Sequence, residues 1–316
     1  MFIKVIGIVL LVIFTILVLI FVYSKINEYK ALNNPRLSNS YYESFTSHGD
    51  LESKYANKGS YDVNYLECAF DNKSIKNIRI WYPTELISNN EKYPLITVVN
   101  GSQTPAKVYL PFFERLASWG FIVVGNDDPQ TGNGATASIT LDYVLNDSEL
   151  SKRVDTENMG IIGYSQGGAG ALTAVTKHDN GKMYKTIFTG SAAYPLLATN
   201  MGWAYDASDI DIPYFMTAAT GNSDDRNVAD INAEFGGIAP LASLASIYDH
   251  MSNDVFKIFA RAVGAEHEDM QNRTDGYMTA WMLYHLQGNT AAGKAFLGTD
   301  AEILNNIDWQ DIQKNR

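Results

Sequence analysis

The sequence predicts an α/β fold: a mostly parallel central sheet with helices on both faces, preceded by an N-terminal transmembrane helix. Three observations carry this expectation. From about residue 60 onward, short apolar runs of buried-strand type alternate with stretches of helical periodicity, the pattern of a parallel sheet covered on both sides. One such run, Met159 to Ile162, passes directly into Gly163-Tyr164-Ser165-Gln166-Gly167 and then into small, helix-compatible residues up to Val175. A separate apolar run at the start of the chain has the length of a membrane span.

That first run extends from Val5 to Tyr23, with Thr15 as its one polar member. Its 19 residues at helical rise cover about 28 Å, close to the hydrocarbon thickness of a bilayer. It is longer than the core of a cleavable signal and ends in Phe21-Val22-Tyr23-Ser24-Lys25, without a small-residue cleavage site. Residues 1–24 are therefore expected to be an uncleaved signal anchor, with the lipid bilayer as partner of residues 5–23. Lys4 precedes the span and Lys25, Lys30 and Arg36 lie after it, so the positive-inside rule does not fix the orientation. An extracytoplasmic domain is expected because short N-terminal anchors commonly export the domain behind them. Residues 25–55 are polar and read as a tether, in which His48 is expected to be solvated.

The remaining chain, 56–316, reads as one domain without internal repeat or linker. Tyr61–Phe70 and Lys76–Tyr82 are short β-rich runs, expected to pair antiparallel at the sheet edge. Tyr93–Asn100 is a stronger, buried-type strand that leads into Gly101-Ser102-Gln103. Val108–Trp119 carries Leu110, Phe113, Leu116 and Ala117 at helical spacing, Gly120 stops it, and Phe121–Val124 is the next strand. A helix over Ala135–Asn146, the elbow strand and helix, and strands over Lys185–Thr189 and Ile212–Ala219 come next. Ile238–Met251 is expected to be helical and Val255–Val263 the last strand, with helices over Thr274–Leu286 and Thr290–Leu297 closing the domain.

Composition narrows the function classes. The 316 residues, 46% apolar, suffice for a sizeable core. A net charge of −11 is the opposite of a nucleic-acid footprint. Cys68 is the only cysteine, which excludes an intrachain disulfide and a cysteine metal cluster. No metal or organic cofactor is expected.

Gly163-Tyr164-Ser165-Gln166-Gly167 fits G-x-S-x-G. A serine on a sharp strand-to-helix turn projects its hydroxyl above the sheet edge, and glycines two positions to either side let the two backbones approach closely. The pentapeptide alone also describes a glycine-rich turn with an incidental serine; the flanking strand and helix favour a nucleophile. A serine hydroxyl needs an adjacent base, itself held by an acid. His178 ends the helix after the elbow, and His250 ends a later helix, where an imidazolium meets the helix dipole. His285 sits within a helix among Trp281, Met282, Leu283 and Tyr284. His267, in the loop Gly264-Ala-Glu-His-Glu-Asp269 just after the last strand, stands where a base can reach Ser165. The acid is expected in the loop after Ala219, with Asp224 preferred, Asp225 the alternative, and Asp230 and Glu234 farther candidates. Oxyanion donors are expected from the backbone N–H of Gln166, and from that of Ser102 in the loop after strand 93–100.

With these residues in place the chain resembles the α/β-hydrolase superfamily, and within it the branch of dienelactone hydrolases, chlorophyllases and bacterial cutinase-like polyester hydrolases. The resemblance covers about residues 90–268. It is carried by NGSQTP after a strand, FFERLASWGFIVVGND, VDTENMGIIGYSQGGAG, and IAPLASLASIYDHM leading to AVGAEHEDM. It implies the α/β-hydrolase fold, Ser165 as nucleophile, His267 as base, and Ser102 and Gln166 as oxyanion donors. Tyr194 falls near a site where polyester hydrolases carry an aromatic residue lining the acyl subsite, and Gln103 and Trp203 are the other expected substrate contacts. The pattern departs at the acid. The cutinase-like enzymes place an Asp directly before the S/T-I-A-P stretch, whereas here Gly236-Gly237 precedes Ile238-Ala239-Pro240 and Asp224 and Asp225 lie upstream, across an apparent insertion. The C-terminal disulfide of many cutinases is impossible with one cysteine.

The expected function is a membrane-anchored serine hydrolase that cleaves a small-molecule or polymeric carboxylic ester through an acyl-enzyme, with Ser165, His267 and Asp224 as its triad. An acyltransferase or peptidase would use the same triad, and a non-catalytic surface binding domain on this fold is the reading from a different class.

Overall fold

The computed structural model describes the backbone of residues 2–316 and the side chains of residues 6–8 and 10–316. Val5 and Val9 of the expected span, and Lys4 before it, thus lie outside the described side chains. Helix α1 (Phe2–Asn33) leads into a loop and α2 (Asp50–Ala56). Strands β1 (Val63–Ala69), β2 (Asn77–Pro83) and β3 (Tyr93–Val99) come after it, then α3 (Leu110–Ala117), β4 (Ile122–Asn126) and α4 (Ala135–Asn146). Next come β5 (Val154–Tyr164), α5 (Gln166–Lys177), β6 (Thr186–Gly190), α6 (Pro195–Asn200), β7 (Tyr214–Ala219), α7 (Leu241–His250) and β8 (Lys257–Ala262). Helices α8 (Met270–Arg273), α9 (Asp275–Gln287) and α10 (Thr290–Gly293) precede a last strand, β9 (Trp309–Lys314).

The nine strands form one sheet in the order β1-β2-β4-β3-β5-β6-β7-β8-β9. From β4 through β3, β5, β6 and β7 to β8 every neighbour is parallel, while β1, β2 and β9 pair antiparallel at the two edges. Side chains alternate across the parallel strands and divide the core into two layers. Leu95, Ile122, Ile161 and Phe259 face one way, onto Leu141 of α4, Leu172 of α5 and Ile247 of α7. Ile96, Val123, Ile162 and Ile258 face the other, onto Phe112 and Phe113 of α3 and Met278 and Trp281 of α9.

Departures from the sequence expectation include the short helices α6 and α8, a last helix that stops at Gly293 instead of Leu297, and two features at the ends of the domain. The stretch 25–55 is not all tether: α1 runs on to Asn33, and α2 lies inside the packed unit. Glu52 of α2 is fully buried and accepts hydrogen bonds from Arg273 at 2.7 Å and the Trp309 indole at 2.9 Å. The domain boundary drawn at residue 56 therefore cuts through packed structure, because a polar segment can bury one carboxylate against a waiting arginine. The other feature is β9. Its sequence, Trp309-Gln-Asp-Ile-Gln-Lys314, has only Trp309 buried and pairs along one edge, so it lacks the apolar run of a central strand.

Helix α1 is long and apolar enough to cross a bilayer, and none of its most apolar stretch is buried against the rest of the chain. Leu10, Leu11, Phe14, Leu17, Leu19 and Phe21 are all exposed. The parallel strands end on one sheet edge, and the loops after β3, β5, β7 and β8 meet there. Open α/β sheets bind ligands at such an edge.

Candidate active site

Ser165 sits between the end of β5 and the first turn of α5 with φ 54° and ψ −123°. A positive φ at a residue with a side chain is a strained conformation that the surroundings must enforce. They do so by close packing. A Cβ on Gly163 would lie 2.1 Å from the carbonyl oxygen of Gly167, and one on Gly167 would lie 2.2 Å from that of Val99. The Ser165 N–H donates to the carbonyl of Gly190 at 3.0 Å, which fixes the turn against β6.

From the turn the Ser165 hydroxyl reaches His267 Nε2 at 2.9 Å. On the far side of the ring, His267 Nδ1 lies 2.6 Å from Asp224 Oδ1. The carboxylate partner makes Nδ1 the protonated nitrogen and leaves Nε2 to accept from the serine. Asp224 is fully buried, and its other oxygen accepts from the Ala219 N–H at 2.7 Å and from the Ser191 hydroxyl. Its orientation is thus held by a backbone donor that cannot turn away and by a buried hydroxyl.

The insertion upstream of Ile238 leaves this placement undisturbed because it closes on its own base. The Arg226 N–H donates to Gly236, the Ile238 N–H to Ser223 and the Ala239 N–H to Asp224. Gly237, at φ 108°, passes so close to Asp224 that a Cβ would lie 2.2 Å from its carbonyl oxygen. Asp225 points elsewhere: it pairs with Arg261 at 2.5 Å and accepts from the N–H groups of Asn227 and Leu241. Asp230 accepts within its own turn from Asn232, away from His267.

The other histidines have separate surroundings. His285 packs against Trp281 at 4.2 Å between ring centres, and burial pushes its pKa down to about 4. His250 bonds the Ser246 carbonyl at the end of α7, His178 meets the Asn133 carbonyl, and His48 is solvated beside Asp308.

The loop after β3 brings Ser102 to the elbow, where its hydroxyl donates to Gln166 Oε1 at 3.1 Å. Gln166 Nε2 in turn donates to Gln130 Oε1 at 3.0 Å. Among the described residues, the backbone N–H groups of Ser102 and Gln166 have no acceptor, and Ser102 lines the same cavity as Ser165. A cavity of about 270 Å³ opens here, lined by Ser102, Ser165, His267, Tyr109, Tyr164 and Arg36 among others.

Three expected substrate contacts are not on that cavity's wall. Gln103 turns away at φ 56°, its N–H donating to Pro129. Tyr194 is buried, with its hydroxyl donating to Ile231 of the insertion at 3.3 Å and its N–H to Ile238. The insertion thus engages the aromatic residue expected to line an acyl subsite. Trp203 lies over Gly132, where a Cβ would come within 2.3 Å of the indole. Conversely, Ser191, which holds Asp224, and Arg36, far upstream in the chain, carry no motif that would have flagged them.

Comparison with known proteins agrees with this architecture. A family model for PET hydrolase-like proteins matches residues 50–311. The chain is 26% identical to Cutinase est1 of Thermobifida alba over 214 residues, 64% of this chain and 62% of the relative. It is 25% identical to Cutinase 2 of Thermobifida cellulosilytica over 224 residues, 67% of this chain and 74% of the relative. A shorter stretch of 69 residues, 20% of this chain and 21% of the relative, is 38% identical to Lipase 1 of a Moraxella species. The chain spans between 60% and 74% of the length of the cutinases it matches. With most of its length matched, on an α/β-hydrolase sheet and in the cutinase-like branch its motifs resemble, the chain belongs to the PET hydrolase-like family.

Proposed function

We propose that the protein is a membrane-anchored serine hydrolase of carboxylic esters. The observation that carries this reading is the unbroken chain of hydrogen bonds from Ser165 through His267 to the buried Asp224. In the first half-reaction His267 Nε2 takes the Ser165 proton as Oγ attacks the ester carbonyl. The N–H groups of Ser102 and Gln166 stabilise the oxyanion, and the imidazolium then gives its proton to the departing alkoxide. The alcohol leaves, and Ser165 carries the acyl group. In the second half-reaction His267 deprotonates a water that attacks the acyl-enzyme, the same N–H groups hold the second oxyanion, and Ser165 recovers its proton as the acid departs. Asp224 keeps the imidazole in the required tautomer throughout and stabilises its charged form.

A cavity of about 270 Å³ lies at the small end of ligand sites and favours a compact ester over a long polymer segment. Helix α1 supplies the anchor, uncleaved, with the domain on the extracytoplasmic side. A reporter fused to the C-terminus and active only in the cytoplasm would refute that topology.

The test of the chemistry is Ser165→Ala with short p-nitrophenyl esters. Activity is expected to fall by several orders of magnitude. The folded wild type should also be labelled by a fluorophosphonate at Ser165. A variant that retains most of its activity would refute the proposal.

A further inference from the structure

The catalytic cavity contains a cation that the triad does not use. Arg36, three residues beyond the end of α1, lines the same 270 Å³ space as Ser165 and His267. It is held there by its backbone, whose N–H donates to the Val108 carbonyl at 2.6 Å. Nearby, Lys107 Nζ donates to Asn33 Oδ1 at 2.8 Å, so the chain leaving α1 is fastened beside the oxyanion loop. The guanidinium itself is almost unspent. Its one hydrogen bond, to the Gln103 carbonyl, is stretched to 3.5 Å, and among the described residues no carboxylate lies within 4.0 Å of it. Glu268 shares the cavity without pairing with it. Partial burial lowers the pKa of the Arg36 guanidinium, the direction expected of a cation with no counter-ion to hold it.

Other internal arginines of the chain are spent on carboxylates: Arg79 on Asp127, Arg115 on Asp275, Arg261 on Asp225 and Asp311, and Arg273 on Glu52. In a protein of net charge −11, an anionic substrate meets general repulsion, and a local planar donor fork is what offsets it. We propose that Arg36 is a substrate-recognition residue and that the site takes esters bearing an anionic group, a carboxylate or phosphate, a short arm away from the scissile carbonyl. This deepens the serine-hydrolase reading and rests on it. The anion has two possible sources: a dissolved half-ester, or the head group of an anionic lipid presented by the membrane that α1 enters.

The experiment uses the full chain in neutral detergent, with wild type, Arg36→Gln and Arg36→Lys. Dimethyl succinate and monomethyl succinate present the same skeleton without and with a carboxylate, and methanol release reports the rate. Arg36→Gln is expected to raise KM for the monoester about 10- to 100-fold, the worth of a charge-assisted pair, and to leave the diester within about twofold. Arg36→Lys should fall between, because a point charge replaces the fork. The wild-type preference for the monoester should shrink as salt rises. Fatty-acid release from phosphatidylglycerol against phosphatidylcholine vesicles separates the sources. Dependence on Arg36 with the monoester assigns a dissolved half-ester, and dependence with phosphatidylglycerol alone assigns a lipid head group. If Arg36→Gln slows the neutral and anionic substrates equally, or neither, the subsite is refuted while hydrolysis of the diester leaves the triad reading standing. If the wild type cleaves none of these esters, both readings fall together.

Discussion

Replacing Asp224 by asparagine tests the catalytic reading more sharply than removing the serine, because it keeps shape and removes only a charge and one acceptor. Asp224 Oδ2 is met by the Ala219 N–H, a donor that cannot rotate, and by the Ser191 hydroxyl. An asparagine there will keep its carbonyl oxygen on that side. Its NH₂ must then face His267 Nδ1, 2.6 Å from the present Oδ1. An amide donor at that place demands an unprotonated Nδ1, so the proton moves to Nε2, the nitrogen that has to accept from Ser165. The base is lost with the geometry intact. The expected fall in kcat is about 10⁴-fold, or about 5.5 kcal/mol of transition-state stabilisation, with KM little changed. Steady-state hydrolysis of p-nitrophenyl butyrate measures it, and residual activity should rise with hydroxide concentration as solvent substitutes for the base. Asp225→Asn is the matched control. Asp225 pairs with Arg261, which also holds Asp311 at 2.8 Å, so its loss should lower Tm and leave kcat within a few-fold. The reasoning is refuted if Asp224→Asn stays within tenfold of wild type, or if Asp225→Asn loses as much activity as Asp224→Asn.

Three further outcomes are expected. Gly163→Ala places a methyl 2.1 Å from the Gly167 carbonyl oxygen, so about 1 to 3 kcal/mol of overpacking should lower Tm by roughly 3 to 10 °C and reduce kcat through the displaced start of α5; unchanged Tm and kcat would contradict the packing argument. Burial raises the Asp275 pKa from 3.8 to about 6 and outweighs the attraction of Arg115, so the folded state binds the extra proton between those values. The contribution is fully present below about pH 3.8 and is lost as pH rises through about 6, so Tm should decline between about pH 4 and 6.5 with a steeper slope than in Asp275→Asn, and parallel slopes there would exclude it. Deleting residues 1–33 should move the protein from the membrane fraction to the soluble fraction with hydrolysis retained, since α1 packs little of its surface on the domain; a truncated protein that still sediments with membranes would point to a second attachment.

The residues that could be read from the chain and those that could not divide along physical lines. Ser165 and His267 were legible because each sits at the end of a buried strand, and a strand's apolar run fixes where its loop begins. In the sequence Asp224 is preferred over Asp225 only for its place nearer the strand end, since adjacent loop carboxylates differ chiefly in which way the backbone turns. That turn is set by Gly237 pressing on the Asp224 carbonyl and by the Ala219 N–H, neither of which is a local pattern. Tyr194 shows the limit of arguing by position. It stands where an aromatic was expected, yet the insertion that displaced the acid from Ile238-Ala239-Pro240 also reaches Tyr194 through the Ile231 carbonyl and takes up its hydroxyl. One insertion accounts for both departures; that of the acid is visible in the chain as Gly236-Gly237 before Ile238-Ala239-Pro240, whereas that of Tyr194 is not. Arg36 was invisible for the opposite reason. It lies in a polar stretch read as tether, and only the fastening of that stretch at Val108 and Lys107 carries it into the cavity. On the proposed reading, substrate choice would rest on segments outside the motifs: the insertion that engages the aromatic and the arm after α1 that carries Arg36. The motifs would then specify the bond to be broken, and these two segments the molecules that can present it.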